Sequence, residues 1–221
     1  MDPSEFLKSF DISIQLGAIL AVLALYWRSL LTRRKVFTRV LFAFFPTALL
    51  GAIFYKFIKR FLLSSSHVVL WSLFAGGVLL ILFERWHREN AQAAEEVGDI
   101  PYRKCFLIGL FQAVAMIPGV SRSAATIVGG LALGLKRQTI VEFSFLLAVP
   151  TMLGATVIDW VKNGSVMSGA ELPFLLVGFL TSFGVAVLGI KFFLRFIKNH
   201  SLVLFGIYRI AAAFFFWAFV G

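Results

Sequence analysis

Residues 118–126 read Pro-Gly-Val-Ser-Arg-Ser-Ala-Ala-Thr and interrupt the apolar run 106–135. Pro118 and Gly119 predict that a helix breaks here, because proline lacks an N–H donor and glycine favours turns. An arginine in the hydrocarbon core of a membrane costs about 2.5 kcal/mol or more. Irregular backbone at that depth is tolerated only where it is buried in protein or lines a polar cavity. Arg122 is therefore a candidate functional residue.

The polar groups at this break suit a phosphate or another oxyanion. Serine hydroxyls, a guanidinium and the backbone N–H groups around Gly119 and at the start of the next helix all donate hydrogen bonds. We assign Arg122 to the bidentate clamping of phosphate, and Ser121 and Ser123 to donation from their hydroxyls. Ser121 is also a candidate nucleophile, although the sequence shows no base near it. The alternative for Arg122 is a structural arginine that bonds carbonyl oxygens at the break.

Four further polar residues lie within apolar segments, and each has two interpretations. Thr126 either caps the second helix or contacts phosphate, and Gln112 either reaches the site or packs between helices. Glu142 either has a catalytic role or is a structural residue, namely a buried acid that pairs with a basic residue or an interfacial anchor. Arg209 pairs with an acid or with carbonyl oxygens, or contacts the substrate. No metal-binding motif is visible.

The composition indicates an all-α polytopic membrane protein. The chain has 221 residues, of which 60% are hydrophobic and 14% are charged, and its mean hydropathy is +0.90. A soluble domain of this size cannot bury so much apolar surface. We attribute the net charge of +10 to loops that set membrane topology and not to nucleic-acid binding. The single cysteine excludes a disulfide within the chain.

Hydropathy predicts six membrane spans, at 12–27, 37–55, 67–83, 139–158, 173–190 and 202–220. The segment 105–135 lies between the third and the fourth span. We interpret it as two short helices that meet at the break and form a re-entrant hairpin. The alternatives are two ordinary spans or one broken crossing.

The distribution of Lys and Arg supports the hairpin. With the N-terminus outside, segments 28–39, 85–104, 136–137 and 191–198 lie in the cytoplasm and carry 14 of these residues, against 5 outside. This excess follows the positive-inside rule. It also requires that the hairpin enter and leave on one side.

The sequence predicts one integral membrane domain, 1–221, made of two half-repeats. These cover about 10–83 and 105–220 and are joined by the polar cytoplasmic loop 84–104. Phe10-Asp11-Ile12-Ser13 and Glu142-Phe143-Ser144-Phe145 introduce equivalent spans, and the halves run in opposite directions, as in an inverted-topology repeat. The alternative is chance similarity between apolar spans. Symmetry predicts a second hairpin upstream of Met1.

Two stretches resemble the undecaprenyl-diphosphate phosphatase family of bacitracin-resistance proteins. Gln112, 118–123 and Thr126, with the later Glu-Phe-Ser-Phe-Leu-Leu-Ala-Val-Pro at 142–150, look like the second signature region of that family. Residues 10–22, Phe-Asp-Ile-Ser-Ile-Gln-Leu-Gly-Ala-Ile-Leu-Ala-Val, are similar to the segment that follows its first signature. The resemblance covers essentially the whole chain.

The resemblance implies a hydrolase that converts a polyprenyl diphosphate to the monophosphate in the bacterial inner membrane. This reaction recycles the lipid carrier for peptidoglycan synthesis, supports cell-wall biogenesis and cell shape, and confers bacitracin resistance. The implied binding residues are Gly119, Ser121, Arg122, Ser123, Thr126 and Gln112, with Arg122 and Ser121 as the catalytic candidates. A divalent cation, magnesium or calcium, is also implied. The expected partners are the lipid substrate, membrane lipids and, as a candidate, a second copy of the chain.

Two departures from the family pattern qualify this expectation. Ala124 stands where family members commonly have glycine. The first signature, a glutamate-rich helix followed by Pro-Val-Ser-Ser-Thr-Gly-His, has no match in the sequence, so its metal and catalytic groups cannot be carried over. We interpret this as a chain shortened at its start and possessing little activity alone, or as a family member that has lost catalysis. A lipid-phosphate flippase and an inactive lipid-diphosphate binder are the alternative functions.

Overall fold

The computed structural model describes residues 3–57, 66–87, 95–163 and 172–220, and these residues are helical apart from short turns and links. Eight α-helices follow one another: α1 (Pro3–Thr32), α2 (Arg34–Phe57), α3 (Ser66–Trp86), α4 (Tyr102–Val114), α5 (Arg122–Ala132), α6 (Arg137–Asn163), α7 (Leu172–Asn199) and α8 (Val203–Val220). A 3₁₀ turn at Val97–Asp99 precedes α4. Residues 88–94 of the predicted polar loop lie outside the described residues.

The predicted spans correspond to six apolar helices. Five of them, α1, α2, α3, α6 and α7, are long and apolar enough to cross a membrane. The sixth, α8, has a shorter apolar stretch, Val203–Ala218. The outer surface is rich in exposed apolar side chains, such as Leu79 and Phe215, which is expected where helices face lipid and not water. The chain is therefore a multi-pass, all-α membrane protein, as predicted.

Helix α6 forms the centre of the molecule. Half of its apolar window is buried, whereas 28% or less is buried in the other four spans. Phe143, Leu146 and Leu147 on α6 are fully buried, and they belong to a core to which α1, α2, α4 and α5 also contribute. The hairpin helices are thus enclosed on one side by the main core.

The directions of the helices agree with an inverted repeat. In the pair of α3 and α8, Trp71 stacks edge-on against Trp217, with ring centroids 4.9 Å apart, while Gly77 packs against the carbonyl of Gly206. The early part of α3 therefore meets the late part of α8, and the two helices run antiparallel. Because each closes one predicted half, this antiparallel packing is what an inverted repeat requires, and the division into two half-repeats stays a prediction.

Helices α4 and α5 form the predicted re-entrant hairpin. Helix α4 runs parallel to α2, since Tyr102 bonds Thr38 at 3.0 Å and Met116 packs near Gly51. Helix α5 then returns toward the face from which α4 started. Gly51 lies about 18 Å along α2 from Arg39, the last of the basic residues that the sequence places in the cytoplasm, and a hydrocarbon core is about 30 Å thick. The turn at Gly119 meets Val69 in the first turn of α3, so the hairpin tip lies toward the end of the bundle that is opposite the basic residues.

Ion pairs place the basic segments on one face. Arg33 pairs with Glu96, Lys136 with Glu95, and Arg137 with Glu84. These contacts join the ends of α2, α3 and α6 to the segment before α4. The shared face agrees with the charge distribution that predicts the cytoplasmic side.

Candidate active site at the hairpin break

The break begins earlier than the sequence predicted. Helix α4 ends at Val114, whereas the prediction placed the interruption at 118–123. Residues 115–117 form tight i to i−3 hydrogen bonds, such as Ala115 N–H to the carbonyl of Gln112 at 2.9 Å. Pro118 disfavours helical geometry in the residue before it, so the helix tightens and ends one turn ahead of the proline.

A β-turn reverses the chain at the tip. The N–H of Val120 donates to the carbonyl of Ile117 at 3.0 Å, with Pro118 and Gly119 as the two central residues. Gly119 has a φ of +88°, which matches the glycine position of a type II turn. A Cβ there would lie 2.4 Å from the carbonyl oxygen of Val69 in α3. Both the conformation and the close approach therefore require glycine.

Arg209 in α8 holds this turn in place. Its Nη2 donates to the carbonyl oxygen of Gly119 at 2.9 Å and to that of Ser72 at 3.2 Å. The residue is only 8% exposed. Of the interpretations considered for Arg209, the structure shows the pairing with carbonyl oxygens. The guanidinium thereby joins α3, α8 and the hairpin tip.

Helix α5 presents its N-terminus at the end of the turn. Ser121 is the N-cap, and its hydroxyl oxygen accepts a 3.3 Å hydrogen bond from the N–H of Ala124. The hydroxyls of Ser121 and Ser123 lie 3.1 Å apart, and Ser123 is exposed. The first turn of α5 carries no acidic side chain. The free N–H groups and the helix dipole therefore favour an anion here.

Arg122 is the first residue of α5, and its positive charge has no counter-ion among the described residues. Its Nη1 is buried and meets no hydrogen-bond acceptor in the described part of the chain. The ion pairs among these residues use other cations. The alternative for Arg122 was a structural role in bonding carbonyl oxygens at the break, but Arg209 makes the bond to the Gly119 carbonyl there. Because an unpartnered buried donor is costly, the geometry suits a ligand oxyanion.

Gln112 connects α4 to two neighbouring helices below the turn. Its Nε2 donates to Thr47 in α2 at 3.0 Å and to Thr151 in α6 at 3.2 Å. Each threonine follows a proline inside its helix, Pro46 and Pro150. The Oε1 of Gln112 is buried without a donor among the described residues. The packing interpretation is thus seen directly, while a role in binding stays a prediction.

Thr126 is fully buried between α5 and α6. Its hydroxyl lies 2.6 Å from that of Ser144 and also bonds the carbonyls of Arg122 and Ser123 at 3.1 and 3.0 Å. The capping role considered for Thr126 belongs to Ser121. A contact between Thr126 and phosphate stays a prediction.

Glu142 does not lie at the level of the break. Thr126 of α5 and Ser144 of α6 lie at the same level, since their hydroxyls are in contact. From that level Arg122 is about one helical turn nearer the hairpin tip, and Glu142 is about half a turn nearer the basic face. The two residues are therefore roughly 9 Å apart along the helix axes. Glu142 therefore supplies no base to Ser121. Gln15, another polar residue within the predicted spans, accepts a 3.2 Å hydrogen bond from Thr156.

The described residues do not form a ligand set for a metal ion. No group of three or more His, Cys, Asp or Glu side chains comes together within 3–57, 66–87, 95–163 and 172–220. The polar groups around Arg122 are donors and hydroxyls, which suit an anion and not a cation.

Comparisons with known proteins identify the family of the chain. The family described as "Bacitracin resistance protein BacA" matches residues 1–215. A relative from Aquifex aeolicus is 48% identical over 207 residues, covering 94% of this chain and 80% of its own. One from Persephonella marina is 46% identical over 220 residues, covering 100% and 86%. Both are named undecaprenyl-diphosphatase. The chain therefore belongs to the bacitracin resistance protein BacA family.

Proposed function

We propose that this chain hydrolyses undecaprenyl diphosphate, a polyprenyl diphosphate, to the monophosphate. The relatives from Aquifex aeolicus and Persephonella marina carry the name undecaprenyl-diphosphatase, which favours the enzyme over a carrier or an inactive binder. The observation that carries the proposal is the buried, unpartnered Nη1 of Arg122 at the start of α5. A diphosphate headgroup would supply the acceptor that this guanidinium lacks.

Each residue at the break has a distinct part in the proposed reaction. Water must attack the terminal phosphorus while the bond from that phosphorus to the bridging oxygen breaks, releasing phosphate and the lipid monophosphate. Arg122 would neutralise charge on the diphosphate oxygens through its planar fork. The Ser121 and Ser123 hydroxyls would donate to the same oxygens. We favour Ser121 as a ligand over Ser121 as a nucleophile, because its oxygen already accepts the bond from Ala124.

The depth of the tip suggests how a lipid headgroup reaches the site. The turn at Gly119 packs against Val69, in the first turn of α3, at the end of the bundle remote from the basic face. A headgroup at the outer surface would then meet Arg122, while its prenyl tail stays in the bilayer against exposed Phe and Leu side chains. We infer that the membrane is the bacterial inner membrane, where this reaction recycles the carrier for peptidoglycan and confers bacitracin resistance.

A divalent cation remains part of the proposal on the strength of the resemblance alone. Magnesium or calcium would neutralise phosphate charge when bound. Because the described residues offer no cluster of ligands, we derive no step through it. A second copy of the chain as a partner also stays a prediction.

Phosphate release and ligand binding test the proposal together. Purified chain is incubated with farnesyl diphosphate and magnesium, and binding of the same diphosphate is measured separately. We expect Arg122→Ala to weaken binding about a hundredfold, equal to about 3 kcal/mol of charge-assisted hydrogen bonds. Arg122→Lys should recover only part of it, since an ammonium cannot bind bidentately. Arg85→Ala, at an exposed arginine on the basic face, is the matched control.

The two readouts separate the candidate functions. Phosphate release that is lost in Arg122→Ala supports the phosphatase. Binding without release supports the inactive binder if release also stays absent after the first signature segment of a relative is fused upstream. Unchanged binding in Arg122→Ala would show that this residue does not contact the diphosphate, and the proposed site would be abandoned.

A further inference from the structure

A polar cavity lies at the opposite end of the molecule from the hairpin tip. Its volume is about 540 Å³, and it is lined by residues 136–138 at the start of α6 and 197–201 at the link from α7 to α8. This size falls within the range of small-ligand sites, roughly 300–1,000 Å³. The cavity is on the basic face, far from Arg122, so the diphosphate site does not account for it.

The lining of this cavity is positively charged. Lys136, Arg137 and Lys198 all contribute, together with His200, and the lining contains no acidic residue. The remaining polar contributors are Gln138, Asn199 and Ser201, which can donate hydrogen bonds. Such a set of donors and cations matches an anion that carries several acceptor oxygens.

The start of α6 adds further donors to the cavity. Lys136 accepts the first helical hydrogen bond, from Ile140, so it occupies the N-cap, where Ser, Thr, Asp or Asn is usual. The first turn of α6 carries no acidic side chain. Cations therefore stand at the positive end of a 27-residue helix, an arrangement that an anion would stabilise.

Acidic residues outside the cavity neutralise only part of this positive charge. Arg137 pairs with Glu84 and Lys136 with Glu95, and the bond from Lys136 holds the pKa of Glu95 below its ordinary value, so that carboxylate stays ionised near neutral pH. Lys198 is exposed and forms no ion pair among the described residues. A positive charge is thus left for a ligand.

We propose that this cavity binds a phosphate-bearing anion, the phosphodiester headgroup of an anionic lipid. Basic pockets between membrane helices on the cytoplasmic side bind such headgroups, and anionic lipids are concentrated in that leaflet. The charge distribution of the chain places this face in the cytoplasm. The proposal is independent of the diphosphatase activity, because its site and its readout are separate from Arg122.

Native mass spectrometry of the full chain tests this site. The chain is released from phosphatidylcholine nanodiscs that contain phosphatidylglycerol, and the retained lipids are counted. We expect one phosphatidylglycerol per chain, with occupancy reduced about fivefold in Lys198→Gln, the effect of one surface charge. Arg195→Gln removes the same charge one turn earlier on α7, at an exposed residue outside the cavity, and should change occupancy less than twofold.

A second arm distinguishes the source of the phosphate. Inorganic phosphate is added at millimolar concentration to protein in phosphatidylcholine alone, and thermal stabilisation is recorded. Stabilisation by inorganic phosphate that Lys198→Gln abolishes, without retention of phosphatidylglycerol, would assign the cavity to a free anion and overturn the lipid assignment. Equal loss of lipid in Lys198→Gln and Arg195→Gln, or no retained lipid, would overturn the site itself.

Discussion

Arg209 donates a 2.9 Å hydrogen bond to the carbonyl oxygen of Gly119, so helix α8 holds the turn that precedes Arg122, the proposed ligand of the phosphate. The same nitrogen bonds the carbonyl oxygen of Ser72 in α3. Arg209 and Arg122 therefore divide two tasks. One arginine satisfies the backbone of the break, and the other remains available for a ligand.

Replacing Arg209 should loosen the turn without removing a group that contacts the diphosphate. Arg209→Met leaves the carbonyl of Gly119 without its side-chain partner and removes the additional bond to the carbonyl of Ser72, which lies inside α3, and we expect it to lower the free energy of unfolding by about 2 kcal/mol. Arg209→Lys keeps the charge and should cost less, while farnesyl diphosphate binds about tenfold more weakly because the turn shifts. Unfolding in mixed micelles and ligand titration measure the two effects. Full affinity in Arg209→Lys would remove the positioning role.

Gly119 is required both by its positive φ and by its close contact with α3, and comparison with Gly134 separates these two effects. Gly119 and Gly134 both have positive φ, +88° and +73°, but a Cβ at Gly134 would meet nothing within 4 Å, whereas one at Gly119 would clash with Val69. Gly134→Ala should therefore lower the free energy of unfolding by only about 1–2 kcal/mol. Gly119→Ala should cost distinctly more and also weaken farnesyl diphosphate binding. Equal costs in micelle unfolding would mean that the contact with α3 is unimportant.

The sequence predicted the spans and the hairpin because both depend on local patterns. Apolar length marks the six helices that correspond to the predicted spans, and Pro118-Gly119 marks the turn. The end of α4 at Val114 was missed because the helix tightens before the proline and not at it. A Pro-Gly pair favours a type II turn, so the turn geometry at Gly119 could have been predicted from the sequence.

The contacts that organise the site come from distant parts of the chain, so no local pattern could give them. Arg209 and Gly119 are 90 residues apart, and the partner of a buried arginine is set by the packing of α8 on α3. The threonines that bond Gln112 belong to α2 and α6. One signal was available for them, since a Pro-Thr pair occurs inside each of these helices at 46–47 and 150–151.

Removing the Gln112 side-chain amide should separate stability from binding. Thr47 and Thr151 each donate to a backbone carbonyl as well, so Gln112→Leu leaves both hydroxyl donors satisfied and eliminates the unpartnered buried Oε1. We expect the free energy of unfolding to change by less than about 0.5 kcal/mol. Oε1 can only accept a hydrogen bond, so it would serve the site through a water that bridges it to the diphosphate, and we expect the affinity for farnesyl diphosphate to fall about threefold. Gln138→Leu, at an exposed glutamine on the basic face, is the control, and unchanged affinity in Gln112→Leu would limit Gln112 to packing.

The ion pair of Glu84 with Arg137 should stabilise the basic face more than any exposed pair there. Glu84 and Arg137 are only 4% and 17% exposed and share two hydrogen bonds, whereas Arg33 and Glu96 are 59% and 63% exposed. Glu84→Gln should cost about 3 kcal/mol in mixed-micelle unfolding, because Arg137 is then left partly buried beside a neutral amide. Glu96→Gln should cost at most about 0.5 kcal/mol, since water already screens that pair. Similar costs for the two variants would show that burial does not decide the strength of these pairs.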